Sequence, residues 1–324
     1  MPSIYTHNYF AKDTIKKLDK ENIYKINNTL YYEIFAQSFD NLFYYNNLSL
    51  KPGKIYRKLG HYAHTHKVWK YFKNIVEYIK CNKLYDDENL GYLYGSILHY
   101  CLDSTCHPYV HYISGRVDKK NFKNTRKYVG NHAKNEIMID AIYYYKDHAT
   151  KYYKYKLYKD IIPLTKFPEN LCKTMDYVFK ETFDKENISK IYNASYNQSH
   201  YIYKHLMYDR TFIKSIMYKI VDLVTPFKKF KAYTYSHHIN KVDPSVMNYN
   251  KEVWIHPVTG EKHNESFEEL YNIAQKKAIK YIKKCNEYFK DKCTIEDLEK
   301  VIGNISYSSG IDCDIRAKFI YFKD

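Results

Sequence analysis

Glycine and proline are scarce in this 324-residue chain, at 9 and 8 residues. All-β folds spend turn formers at every strand connection, so this scarcity points to long helices with few connections. No apolar run of about 18 residues is present, which argues against a membrane-spanning helix. The seven cysteines, at 81, 101, 106, 172, 285, 293 and 313, are odd in number and include no CxxC pair. That fits a reducing compartment without a disulfide framework. The first residues hold no basic segment followed by an apolar run, so no signal peptide is expected and the expected location is cytoplasmic. Glycine-rich phosphate loops and GxSxG are absent too, which leaves a serine or cysteine nucleophile without local support.

What is present is a globular composition, 45% hydrophobic and 27% charged. The 40 tyrosines, with abundant Lys, Asn and Ile, fit AT-rich coding, in which tyrosine takes core positions that Phe or Leu fill elsewhere. The net charge of +16 suits anionic partners, either an anionic membrane met peripherally or nucleic acid. The lysines are dispersed, and the densest clusters, Lys228-Lys229 with Lys231 and Lys276-Lys277, are short. Charge alone does not choose between the two partners.

Hydrophobic spacing predicts a first helix over 8–20 and a second over 29–45 that breaks near Asp40, then a turn at 51–54. Trp69, Phe72, Ile75, Val76 and Ile79 follow helical spacing. The stretch 90–107 is apolar on nearly every side, as expected of a helix in mid-core, with Pro108 ending or kinking it and leaving His107 in its last turn. A further helix starts near Asn131, and amphipathic helices are predicted over 168–183, 200–224 and 266–290. Residues 231–264 read as a long ordered loop, and the tail as a short extended segment. The expectation is an all-α chain forming a single domain over 1–324, with a metal-binding half at 1–150 and a helical and loop extension at 151–324.

The chemistry concentrates in HYCLDSTCHPYVHY, residues 99–112, and NHAKNE, residues 131–136. His99, Asp103 and His107 stand at i, i+4 and i+8, and His132 and Glu136 repeat the step, so each set shares a helical face. Converging imidazoles and carboxylates bind divalent zinc, and one carboxylate can bridge two ions. A carboxylate in the most apolar helix of the chain needs a cation or donors, because an unpaired buried charge costs several kcal/mol. His61, His64 and His66 form another cluster, of which only one or two can reach one site. His7 and Asp40 are unremarkable in isolation. His111, His148, His200, His205, His237, His238, His256 and His263 are read as ordinary core or surface histidines; His237, His238 and His256 lie in the long loop and could line a mouth, and that segment gives no spacing argument for more.

Taken together, these segments resemble the zinc-dependent phospholipase C/D family, whose superfamily includes the helical zinc-dependent single-strand nucleases. MPSIYTHNYFAKD resembles the family's opening, which implies His7 as a metal ligand. FAQSFDNLFYY resembles the segment carrying a metal-bound aspartate, here Asp40. LGHYAHTHK resembles its histidine segment, best matched by His64, with His66 as the other choice. GYLYGSILHYCLDSTCHPYVH resembles its signature helix and gives His99, Asp103 and His107; NHAKNEIMID gives His132 and Glu136. VWIHPVTGEKHNESFEELYNIA and YSSGIDCD are similar to intracellular-type bacterial members. Secreted phospholipases C have a longer gap after the bridging aspartate. The four-residue step from Asp103 to His107 is closer to the phospholipase D-type branch, and His111 is a possible substitute.

The resemblance implies a multi-helix bundle of the phospholipase C/nuclease type with a buried multi-zinc site. One zinc would be held by Asp40, His64, His99 and Asp103, a second by His107, His132 and Glu136, and a third by His7 and Asp103. Asp40 would orient or deprotonate the attacking water. The implied activity is phospholipase C-like hydrolysis of a glycerophospholipid or another phosphodiester. The alternatives are a zinc-dependent single-strand nuclease on the same scaffold, and a non-catalytic zinc protein that binds lipid or a partner.

Overall fold

The computed structural model describes residues 4–18, 23, 24, 26–47, 52–149, 156–225, 229–236 and 242–323. Within them the chain is all-α. The helices are α1 (Ile4–Lys17), α2 (Leu30–Phe35), α3 (Lys54–Ala63), α4 (Val68–Asn82), α5 (Asp87–Ser114), α6 (Phe122–Thr125) and α7 (Asn131–His148). They continue with α8 (Leu157–Asp160), α9 (Glu169–Phe183), α10 (Ile188–Ile202), α11 (Ile213–Val224), α12 (Phe267–Phe289) and α13 (Ile295–Ile302). The described strands are short: β1 (Tyr208–Asp209) runs parallel to β2 (Tyr235–Ser236), and β3 (Trp254–Ile255) pairs antiparallel with β4 (Lys262–His263).

Helix α5 is the axis of the fold. Asp86 caps its N-terminus by accepting from the Asn89 amide at 2.8 Å, and Gly115, at φ 68°, ends it. Nearly every residue from Asn89 to Val110 is buried, so the helix has neighbours on all sides. Helix α2 lies closest, because a Cβ on Gly91 would stand 2.6 Å from Cβ of Tyr31, and one on Gly95 2.6 Å from the Tyr32 carbonyl oxygen. Helices α1, α4, α7, α9 and α12 pack around the remaining faces. Tyrosines fill much of this core, and some of them satisfy their hydroxyls inside it: Tyr94 accepts from Asn286 at 2.7 Å, and Tyr100 donates to the Ile302 carbonyl at 2.9 Å.

Several boundaries differ from those expected. The first helix starts at Ile4 rather than 8, because Asp140 on α7 accepts from the amides of Tyr5 and Thr6, both at 2.9 Å. The second helix breaks at Ala36 and Gln37, before Asp40; Ser38 has φ 33°, and Asp40 sits in a 3₁₀ segment, Ser38–Tyr44. Pro108 does not end α5, and His107 is not in its last turn. Proline forfeits one bond, to the Ser104 carbonyl, but Tyr109 and Val110 beyond it are buried, and that packing carries the helix on to Ser114.

The span 200–224 is not one helix. Helix α10 loosens into a π turn, Tyr203–Met207, and Asp209 then caps α11 through the Ser215 amide at 2.8 Å. Helix α13 lies outside the helices expected from hydrophobic spacing; Thr294 and Asp297 form a capping box at its start. The extended tail reduces to one antiparallel bridge, Ile305 to Asp312. No described helix is long and apolar enough to cross a membrane.

Candidate metal centre

Five elements deliver the polar side chains to one face of α5. Helix α1 supplies His7, the 3₁₀ segment supplies Asp40, and His64 follows the last turn of α3. Helix α5 contributes His99, Asp103, His107 and His111, successive members of one i, i+4 stripe. Helix α7 contributes His132 and Glu136.

Three of the imidazoles are oriented by backbone carbonyls. Nδ1 of His64 lies 2.7 Å from the Gly60 oxygen, that of His99 2.9 Å from the Ala36 oxygen, and that of His107 2.9 Å from the Tyr307 oxygen. A carbonyl only accepts, so each Nδ1 carries a proton and each Nε2 is turned toward the centre. This is the arrangement in which histidine ligates a metal through Nε2.

The atoms so aimed converge. His64 Nε2 stands 3.0 Å from Asp40 Oδ1, and His99 Nε2 stands 3.4 Å from His64 Nε2 and 3.3 Å from Asp103 Oδ2. His7 Nε2 lies 3.2 Å from Asp103 Oδ1 without the alignment of a hydrogen bond. Two triads, His7 with Asp40 and His99, and His64 with His99 and Asp103, each present ligand atoms within 4.8 Å of one another. A third triad is His107, His111 and His132, with Glu136 Oε1 2.8 Å from His132 Nε2 and 3.8 Å from His107 Nε2. Asp103 lies between the sets, its Oδ2 3.8 Å from His107 Nδ1.

Electrostatics sharpens the case for a cation. Burial pushes His99 down to about 4, despite the opposing pull of Asp103 and Asp40. Burial would raise Asp103, but His99 and His7 hold it well below the usual carboxylate range. His99 Nε2 thus stands 3.3 Å from an Asp103 oxygen in a fully buried setting, where burial disfavours charge on either group. Burial would also lower His64, but Asp40, with help from Asp103 and the Gly60 carbonyl, more than offsets this, so that ring is raised. Burial and His132 drive His111 well below its ordinary value. Both ring nitrogens of His7, Oδ1 of Asp40 and both oxygens of Asp103 are buried without a hydrogen-bond partner. Orphaned acceptors collected in one place fit a bound cation, and the donor set, imidazole with carboxylate, suits a divalent transition metal.

The structure brings together His7, Asp40, His64, His99, Asp103, His107, His132 and Glu136. It separates His66 from them: that ring is exposed and stacks on Tyr62 with centroids 4.2 Å apart. His7 stands beside Asp103, at 3.2 Å, and also forms a triad with Asp40 and His99. His111 stands beside His107 as a further member, not in its place; it continues the α5 stripe, and that spacing was the available signal. His256 accepts from the amides of Val258 and Thr259 within its own turn and belongs to none of the three triads. His237 and His238 lie outside the described residues.

Two cavities meet the cluster. One of about 570 Å³ is lined by His61, His107, His111, His132 and Glu136. The other, about 610 Å³, is lined by Asp40 and Glu136 and by apolar groups including Ile137, Leu206, Met207 and Phe230. Phe43, Gly130, Ala133, Glu136 and Tyr233 line both. Comparisons of the chain with family models, with characterised proteins and with solved structures find no match.

Proposed function

We propose that this protein is a zinc-dependent phosphodiester hydrolase of the phospholipase C kind, built on a bundle of the phospholipase C/nuclease type. The observation that carries the reading is the approach of His99 Nε2 to Asp103 Oδ2 at 3.3 Å inside a cluster of buried polar atoms without hydrogen-bond partners. Asp40, His64, His99 and Asp103 would hold one zinc, and His107, His132 and Glu136 another, with His111 joining the second set and His7 available to a third. When bound, zinc would supply Lewis acidity for the phosphoryl oxygens and bring the pKa of water to about 7.

The remaining chemistry belongs to the chain. Oδ1 of Asp40, which accepts no hydrogen bond and belongs to a residue on the wall of the larger cavity, would orient the attacking water and take its proton. The phosphorus–oxygen bond to the glycerol then breaks, the proton passes to the glycerol oxygen, and the phosphorylated head group leaves. The carbonyls of Gly60, Ala36 and Tyr307 keep three imidazoles from rotating during this step. The apolar cavity beside Asp40 and Glu136 suits an acyl chain better than a nucleobase and supports a lipid substrate.

The test compares wild type with Asp103→Asn on a soluble phosphocholine ester, phospholipid vesicles and single-stranded DNA, with bound zinc measured by elemental analysis. Wild type is expected to carry at least two zinc ions and to cleave the ester and the lipid, and the variant to lose both properties. Lipid hydrolysis that survives the substitution would refute the role of Asp103. Activity on DNA alone would make the protein a nuclease, and zinc without any hydrolysis would make it a binding protein.

A further inference from the structure

Helix α11 is inside out. The groups that tie it to the protein are polar: Asp222 accepts from the Phe230 amide at 2.6 Å, Tyr218 donates to the Leu206 carbonyl at 3.0 Å, and Lys214 reaches the Tyr208 carbonyl at 2.5 Å. The opposite side carries Ile213, Ile216, Met217, Ile220, Leu223 and Val224, spaced as one helical stripe and turned to solvent. Ile220 is 62% exposed, Leu223 76% and Val224 78%. Water-facing helices normally show the reverse pattern, and a continuous apolar stripe of this kind marks a surface that something covers.

Its charge setting selects the partner. Lys219 on α11 and Lys204, Arg210 and Lys231 on the segments flanking it are exposed. The carboxylates of the same region, Asp209 and Asp222, are both buried and engaged with backbone amides. The rim is therefore cationic with no exposed acid among the described residues from 201 to 235. A solvent-facing apolar stripe within a basic rim is the pattern of a helix lying in the plane of a bilayer, its apolar side among the acyl chains and its lysines among anionic head groups.

The location agrees. Leu206, Met207, Tyr218 and Phe230, from α11 and its flanks, also line the apolar cavity that reaches Asp40 and Glu136. We propose that the outer face of α11 docks the protein on an anionic phospholipid surface, and that the adjoining cavity admits an acyl chain from that surface toward the metal centre. The docking stands on the helix itself; the role of the cavity rests on the phospholipase reading above.

The test uses the purified full chain and vesicle flotation at low salt, on phosphatidylcholine alone and on phosphatidylcholine mixed with phosphatidylserine. Wild type is expected to float with the mixed vesicles. The double variant Ile216→Asp/Ile220→Asp is expected to lose at least about tenfold in partitioning. Both are expected to hydrolyse a soluble phosphocholine ester at the same rate, because neither residue lines the cavities. Arg210→Glu/Lys219→Glu provides a second variant that keeps the apolar stripe, and it should lose binding to mixed vesicles more than to neutral ones. Wild type that stays with neither vesicle, or double variants that float as wild type does, would overturn the docking. So would a wild-type dimer that the Asp variant splits without any vesicle affinity, since the cover would then be a second copy. If wild type floats but hydrolyses nothing, the docking stands and the phospholipase reading fails.

Discussion

The Tyr307 carbonyl oxygen lies 2.9 Å from Nδ1 of His107, across 200 residues of sequence. A loop near the C-terminus thus sets the tautomer of a histidine on the central helix. The loop is held by the Tyr307 amide, which donates to the His64 carbonyl at 2.9 Å, so one residue ties together two histidines of the centre.

Gly310 closes the turn that follows Tyr307, its amide donating to the Ser306 carbonyl at 3.0 Å. It has φ 69°, and a Cβ there would stand 2.7 Å from the Ser104 carbonyl oxygen of α5. Gly310→Ala is expected to destabilise the fold by about 1–3 kcal/mol and to weaken zinc binding at the His107 set by about 10- to 100-fold. Denaturant titration and zinc competition against a chelating dye would measure the two effects. Unchanged zinc affinity would mean that the Tyr307 carbonyl does not position His107.

Removal of metal should cost stability directly. Each site held at 100 times its dissociation constant contributes about 2.7 kcal/mol, and the chelated protein is left with converging carboxylates and lone pairs. Thermal scans with excess zinc and with a chelator should therefore differ, and Asp103→Asn should shrink the difference. An identical midpoint in both conditions would count against a metal centre.

Acid should destabilise the chelated protein beginning below neutrality. His99 is neutral when folded, its value lowered from 6.5 to about 4 by burial. The unfolded chain then binds more protons between those values, so the contribution is whole above about 6.5 and is lost as pH falls to about 4, roughly 3 kcal/mol in all. Asp103, also depressed, extends the loss to lower pH. Urea titrations across this range should show the slope for wild type and a flatter one for His99→Gln.

Asp140 acts in the opposite sense. Its carboxyl is raised to about 6 by burial, so its contribution is present below about 3.8 and is lost as pH rises through 6. It nevertheless accepts from the Tyr5 and Thr6 amides, the Thr6 hydroxyl and the Tyr235 hydroxyl. Asp140→Asn puts N–H groups where only acceptors fit. It is expected to cost about 2–4 kcal/mol, read by urea denaturation, and to loosen the helix start that carries His7.

Much of this centre is legible in one dimension. His99, Asp103, His107 and His111 share a face of α5, and His132 and Glu136 a face of α7, because helical geometry alone relates i to i+4. Gly and Pro scarcity spoke for helices for an equally local reason. Boundaries set by distant partners were not legible. The start of α1 depends on Asp140, and the passage of α5 through Pro108 depends on the packing of the turn beyond it. The division of 200–224 depends on a π turn and on Asp209 as a cap.

The sequence by itself determined the candidate ligand types and their grouping along two helices, since backbone geometry fixes which side chains within a helix can meet. Tertiary structure decided the rest. It placed His64 rather than His66 at the centre, because one ring is turned inward by the Gly60 carbonyl and the other stacks outside on Tyr62. It seated Asp40 beside His7 and His99 through a 3₁₀ turn that no periodicity announces. It also decided which face of α11 meets water. Periodicity reveals a stripe, but only packing tells whether the stripe faces the core, and here polar anchors hold the helix the other way round.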